Sequence, residues 1–328
     1  MIGDQVHRRH PVCPGQTALV VSVALVLGGG GIAGAAWHGA VLAALDEAGW
    51  DARRADLVIG TSAGSNVAAV LRLGVPPADL VAGALGRPLS PRGAAHAARA
   101  GGPMDLPAPK LGWARPVAPR LALRAIARPW RFNPLLAMAG LLPTGQVPTA
   151  VIGDRIRATH DDPWPERATW ICAVRMPEGH RTVFGRDVDD ADLATAVEAS
   201  SAIPGYFAPV EHAGATYVDG GVHSPTNADL AAGLGFDIVV ISSPMSGTRS
   251  ALRTGWTGAR PLHRATLARE VRTLRRDGTR VLVLQPGPEV VAAVGPSSMD
   301  PARRRRVAEV AHADVRAHLA SPLVADRL

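Results

Sequence analysis

The chain has 328 residues, of which 47% are hydrophobic and only 4% aromatic, and it carries a formal net charge of +7. That length buries a full core without a disulfide or metal staple, and the two cysteines, Cys13 and Cys172, define neither. The positive charge is almost all arginine, Lys110 being the single lysine; it is compatible with an anionic partner such as phospholipid, and equally with a chain merely rich in Arg, Ala and Gly.

Residues 1–17 show no apolar periodicity and read as a flexible leader, leaving 18–328 as one domain. "ALVVSVALVL" (18–27) is too short to span a bilayer as a helix, and its β-branched residues favour a buried strand over a signal-peptide core. Glycines follow, then "AAWHGAVLAALDEAGW", a helix ending near Gly49. "ADLVIG" (55–60) reads as a second strand and "TSAGSNVAAVLRLG" (61–74) as a helix with a sharp start. Strand, loop, helix, strand, turn, helix is the pattern of an α/β protein with a mainly parallel sheet.

Residues 86–148 break the pattern with many prolines, basic residues from Arg87 to Arg131, and Asp105 as the one acid between 80 and 153. They read as a Pro/Arg-rich cap inserted into the α/β core. Within it, "RLALRAIARPW" (120–130) suits either a basic amphipathic helix resting on an anionic membrane or a core-packed helix with a solvated Arg face. Strands are expected again at 168–176, 181–185, 215–222, 237–243 and 279–286. Helices are expected at 191–207 until Pro204, at 263–278 and at 301–319, the Arg runs of the last two forming solvated faces.

Two motifs compete to define the chemistry. Gly29, Gly31 and Gly34 fit G-x-G-x-x-G, the pyrophosphate cradle of dinucleotide-binding folds. That reading requires an acid at the end of the second strand; Asp51 and Asp56 precede the strand, and no Gly-Lys-Ser/Thr follows the glycines. The strand ends instead in Gly60-Thr61-Ser62-Ala63-Gly64, a G-x-S-x-G. Such a serine sits on a strained strand-to-helix turn with its Oγ presented above the sheet and a helix dipole aimed at it. A serine attacking an ester creates an oxyanion, and bare backbone N–H groups in a glycine loop stabilise one well. The rival reading of Ser62 is a helix cap in a Gly/Ser turn.

A nucleophilic serine needs a proton acceptor. His38, His180, His212, His223 and His263 lie outside leader and cap; none sits in a motif, and each reads as a surface or packing residue, with His223 the best placed. The alternative is Asp219 in "VDGG", a carboxylate at a strand end followed by Gly220 and Gly221, a pattern that an ordinary Asp-Gly turn also produces.

Taken together, "LGGGGIAGAAWHGAVLAALDEAG" (27–49), "LVIGTSAGS" (57–65) and "EASSAIPGYFAPVEHAGATYVDGGVHSPTNADLA" (198–231) resemble the patatin-like phospholipase family, in the order G-x-G-x-x-G, G-x-S-x-G, D-G-G. The resemblance implies a three-layer α/β/α fold and a Ser–Asp dyad hydrolysing acyl esters, usually of lipids, with no histidine, metal or other cofactor. Ser62 would be the nucleophile, Asp219 the base, and the amides of Gly29, Gly30 and Gly31 the oxyanion hole. The expected partner is a lipid or other acyl ester, with peripheral contact to anionic membrane and no nucleic acid, in a cytoplasmic protein. One position departs from the family: Ala33 stands where Arg or Lys is usual. That departure keeps a second reading in play, a catalytically weak lipid-binding or regulatory protein.

Overall fold

The computed structural model describes residues 21–102, 140–253 and 258–321. The leader, most of the cap and its 120–130 segment lie outside the described residues. β1 (Val23–Leu27) is followed by α1 (Gly31–Glu47), β2 (Leu57–Thr61), α2 (Ala63–Arg72), α3 (Pro77–Leu85) and α4 (Pro91–Arg99). After the cap come α5 (Ala150–Thr159), β3 (Thr169–Met176), β4 (His180–Phe184), α6 (Leu193–Ser201), β5 (Val210–His212) and β6 (Ala215–Asp219). The chain ends with β7 (Ile238–Ser242), α7 (Arg260–Arg276), β8 (Arg280–Leu284), α8 (Pro288–Val294) and α9 (Arg304–Leu319).

The expected strands are present, some shorter than their apolar runs: β1 begins at Val23, and β6 gives way at Asp219 to a 3-10 turn through Gly220–Val222. Sequence reading passed over β5, α3, α4, α5 and α8, α4 falling inside the stretch read as a cap. α3 and α8 each begin with proline, which punctuates a sequence like a loop yet suits the first turn of a helix, where no N–H partner is needed.

The strands form one mostly parallel eight-stranded sheet in the order β5-β6-β3-β2-β1-β7-β8, with β4 also paired to β3. Successive strand residues face opposite sides. Leu25, Leu27, Val58, Ile171 and Val240 therefore pack under α1, α2, α6, α8 and α9. Ala24, Val26, Ile59, Cys172, Val239 and Ile241 pack on the other face, against Leu267, Val271 and Leu274 of α7. The result is three layers, helices on both faces of the sheet, as the motif order implied. Arg269, Arg272, Arg275 and Arg276 on α7 and Arg304–Arg306 on α9 are exposed, the solvated faces expected of those runs.

β3 determines where the site falls. Its residues Ile171–Arg175 pair with β4 along one edge. The other edge is shared: Val58–Thr61 of β2 run parallel to Thr169–Cys172, and Thr216–Asp219 of β6 run antiparallel to Ala173–Met176. β2 and β6 therefore approach head-on. Thr61 lies opposite Cys172 and Asp219 opposite Ala173, so the residue after Thr61 emerges beside Asp219.

The glycines of G-x-S-x-G are required by packing. A Cβ on Gly64 would lie 2.0 Å from the Leu27 carbonyl oxygen, and one on Gly60 would lie 2.7 Å from Ser65 Cα. On Gly34 a Cβ would meet only ordinary contacts, at 3.4 Å and beyond. Gly64→Ala is accordingly expected to cost at least about 3 kcal/mol or to abolish soluble expression. Gly34→Ala, inside a helix, should stay within about 1 kcal/mol of wild type in denaturant unfolding.

Candidate active site

Ser62 occupies the turn between β2 and α2 with φ 53° and ψ −121°, a left-handed conformation that is costly for a residue with a Cβ. Three contacts over-determine it. Its N–H donates to Ser200 Oγ (2.8 Å), whose hydroxyl donates onward to the Cys172 carbonyl (2.7 Å). Its carbonyl accepts from Ser65 Oγ (2.6 Å) and from Asn66 Nδ2 (3.3 Å). The same end of α6 that supplies Ser200 also supplies the Ala202 carbonyl, which accepts the Asp219 N–H at 3.0 Å. One helix end thus brackets both residues.

The structure brings Ser62 and Asp219 together, both only 5% exposed. Burial pushes the Asp219 carboxyl up to about 6, and the neighbouring Ser62 hydroxyl and the hydrogen bond from the Gly221 N–H (2.7 Å) partly oppose that rise. Gly220 permits the tight exit from β6, since a Cβ there would lie 2.2 Å from the Cys172 carbonyl oxygen. Cys172 itself is buried and its thiol is pushed up to about 12, which keeps it protonated and inert.

The histidines are engaged elsewhere. His180 is exposed, His212 pairs with Asp190, and His263 contacts the Met245 carbonyl. His223 is half-buried close to the Arg181–Asp229 ion pair. His38 is fully buried beneath the glycine loop, with Nε2 2.6 Å from the Gly28 carbonyl oxygen. Among the described residues no group of three or more His, Cys, Asp or Glu side chains could hold a metal ion.

The glycine loop lies against the serine: a Cβ on Gly29 would be 3.3 Å from Ser62 Cβ. Its amides are not equivalent. Gly28 N–H donates to the Ser242 carbonyl at 3.0 Å, and Gly29 N–H to the Pro225 carbonyl at 2.7 Å. The expectation of three consecutive oxyanion donors, Gly29 to Gly31, therefore narrows. The Gly29 amide is occupied, whereas those of Gly30 and Gly31 have no acceptor among the described residues. Gly31 has φ +60° and opens α1, so its N–H joins the positive end of that helix.

Residues that the sequence reading did not single out hold this loop and Thr61. Asn227 donates through Nδ2 to Thr61 Oγ1 (3.1 Å) and to the Ser224 carbonyl (2.7 Å). Glu270, reaching up from α7, accepts from Ser224 Oγ (2.6 Å) and Thr226 Oγ1, and burial pushes its carboxyl up to about 7. Ser224–Asn227 is thereby braced as a unit, with Pro225 at its centre. The only sequence signal for it was the run "HSPTN" just after Asp219-Gly-Gly.

Ala33 is buried, and its N–H donates to the Ser298 carbonyl at 2.9 Å. The loop before α9 therefore covers the start of α1, where the family usually has a cation. A basic side chain does line the small cavity beside Gly30 and Ala33: Arg260 of α7, which donates to the carbonyls of Pro244 (2.7 Å) and Ser246 (2.5 Å).

Fold and site together define an α/β protein that carries a serine on a strand-to-helix elbow, beside a buried strand-end carboxylate and flanked by a glycine loop. The model of the patatin-like phospholipase family matches residues 25–232, and the chain belongs to that family. A crystal structure of VipD from Legionella pneumophila is similar over 91% of this chain and 67% of that chain, with 14% sequence identity and a TM-score of 0.42. The family match ends before β7, yet Ser242 on β7 contacts the glycine loop.

Two stability predictions follow from the cost of this arrangement. Glycine tolerates the Ser62 backbone, so Ser62→Gly should be about 1–3 kcal/mol more stable than Ser62→Ala in denaturant unfolding. The Asp219 carboxyl, raised from 3.8 to about 6, confers stability that is complete below pH 3.8 and lost as pH rises through about 6; ionised, it costs about 3 kcal/mol. Asp219→Asn should therefore raise the melting temperature at pH 8, with the gain shrinking toward pH 4.

Proposed function

We propose that the protein is a serine acyl-ester hydrolase acting on lipids through a Ser62–Asp219 dyad. The observation that carries this reading is Ser62 on a strained elbow, brought beside a buried strand-end carboxyl by the head-on meeting of β2 and β6. An ordinary aspartate is a weak base; a carboxyl poised near 6 accepts a proton more readily and is still ionised at neutral pH.

In the proposed cycle Asp219 takes the Ser62 proton as Oγ attacks the ester carbonyl carbon. The carbonyl oxygen becomes an oxyanion facing the amides of Gly30 and Gly31. Collapse of the tetrahedral intermediate breaks the ester C–O bond, and the alcohol departs with the proton held by Asp219. Water, deprotonated by Asp219, then attacks the acyl-enzyme, releasing the fatty acid and returning the proton to Ser62. Membership of a family named for phospholipases supports a lipid substrate. Among the described residues no helix is long and apolar enough to cross a membrane. The proposed lipid contact is peripheral, and the low cysteine count supports a reducing, cytoplasmic setting.

The weaker-catalyst reading rests on Ala33 alone, and an ester panel separates it from the dyad. Short chromogenic esters through phospholipid vesicles should be hydrolysed by wild type and not by Ser62→Ala. Vesicle binding without turnover by wild type would favour the lipid-binding reading. The dyad also predicts the pH profile. kcat/KM should fall about tenfold per unit below an apparent pKa close to 6 and stay flat from pH 7 to 8. A limb at or above pH 7 that persists in Asp219→Asn would point to a histidine base instead.

A further inference from the structure

The peptide unit joining Gly28 and Gly29 is held at both ends. Its N–H donates to the Pro225 carbonyl at 2.7 Å, and its carbonyl oxygen lies 2.6 Å from His38 Nε2. On the far side of the ring, His38 Nδ1 is 2.8 Å from Ser242 Oγ, and the same oxygen is 3.0 Å from Trp37 Nε1. Trp37, His38 and Ser242 are all fully or almost fully buried, so no water competes for these bonds.

The chemistry of the groups determines where each hydrogen sits. A carbonyl oxygen only accepts, so Nε2 carries the hydrogen toward Gly28. The indole N–H only donates, so Ser242 Oγ accepts from Trp37 and turns its own hydrogen toward Nδ1. The imidazole is then neutral and every group in the chain Trp37–Ser242–His38–Gly28 is satisfied. Protonating the ring would place a hydrogen on Nδ1 facing the Ser242 hydroxyl, and burial accordingly lowers the ring's pKa to about 4.

We infer that His38 is a positioning residue for the oxyanion loop: its Nε2–H fixes the Gly28–Gly29 peptide plane so that the next amides, Gly30 and Gly31, face the reacting carbonyl. The loop needs this because glycines impose little torsional preference of their own. With the Gly28–Gly29 plane locked, the orientation of the following peptide depends on few remaining torsions. A preorganised donor stabilises a developing charge without reorganising, and that advantage is lost if the plane rocks. The inference rests on the serine-hydrolase reading above, and Ser242 ties it to β7, beyond the residues matched by the family.

Two amide substitutions separate position from mere packing. In His38→Gln the amide nitrogen can occupy the place of Nε2 and still donate to Gly28. In His38→Asn it reaches only the place of Nδ1. With an ester substrate, His38→Asn should lower kcat roughly 10- to 100-fold with KM nearly unchanged, less than the loss of a direct oxyanion donor. His38→Gln should stay within about fivefold of wild type. Leu42→Ala, a buried truncation on the same helix, should lower the melting temperature and leave kcat per folded molecule unaltered. In the wild-type protein, 15N NMR of the ring should show the Nε2–H tautomer, unchanged down to about pH 5.

Equal kcat for the Asn and Gln variants, or an Nδ1–H tautomer, would overturn the inference. The tautomer is read on wild type, so the test survives a variant that does not fold. Full activity in Ser62→Ala would instead sink the serine reading and leave the relay to be judged by NMR alone.

Discussion

Two strands that run in opposite directions end against the same edge of β3. β2 approaches from one end and β6 from the other, and the register leaves Thr61 and Asp219 opposite adjacent residues, Cys172 and Ala173. Nothing else needs to be arranged to bring the serine and the carboxylate together. The residue following Thr61 has to leave the sheet there, because the edge beyond it is already taken by β6. Gly60 and Gly64 let α2 start immediately, and Gly220 lets the chain leave β6 without striking Cys172. The site is a consequence of how one long strand divides its hydrogen bonds.

This arrangement stores free energy at the site. Ser62 is held in a left-handed conformation, and a carboxyl is buried where its charge is disfavoured. Both costs are offset by the surroundings: two sheet faces packed with aliphatic side chains, the bracket from the end of α6, and the braced turn at Ser224–Asn227. Sites that trade stability for reactivity in this way are expected to gain stability when the reactive groups are removed.

Much of this was legible in the sequence, for identifiable reasons. Short apolar runs ending in glycine or serine mark buried parallel strands, and the spacing in G-x-S-x-G reflects a tight elbow in which Gly60 packs on Ser65 and Gly64 on the end of β1. Contacts made at long range were not legible. Nothing near Gly29 announces that Pro225 occupies its amide. His38 looks like an isolated histidine until Ser242, 204 residues away, is brought beside it. Glu270 appears in an Arg-rich helix among exposed Arg269, Arg272, Arg275 and Arg276, and only the packing of α7 under Ser224 and Thr226 shows that it faces inward. The head-on meeting of β2 and β6 was likewise hidden, because a sequence shows where strands lie but not which edge they share.

The central claim is that Ser62 is the reactive nucleophile. Treatment with a fluorophosphonate, tryptic digestion and mass spectrometry test it most directly, since cleavage after Arg54 and Arg72 isolates residues 55–72. The account predicts one phosphonyl adduct, located by fragmentation on Ser62 and not on Ser65, absent in Ser62→Ala and formed much more slowly in Asp219→Asn. An adduct on another residue, or labelling that persists in Ser62→Ala, would contradict it.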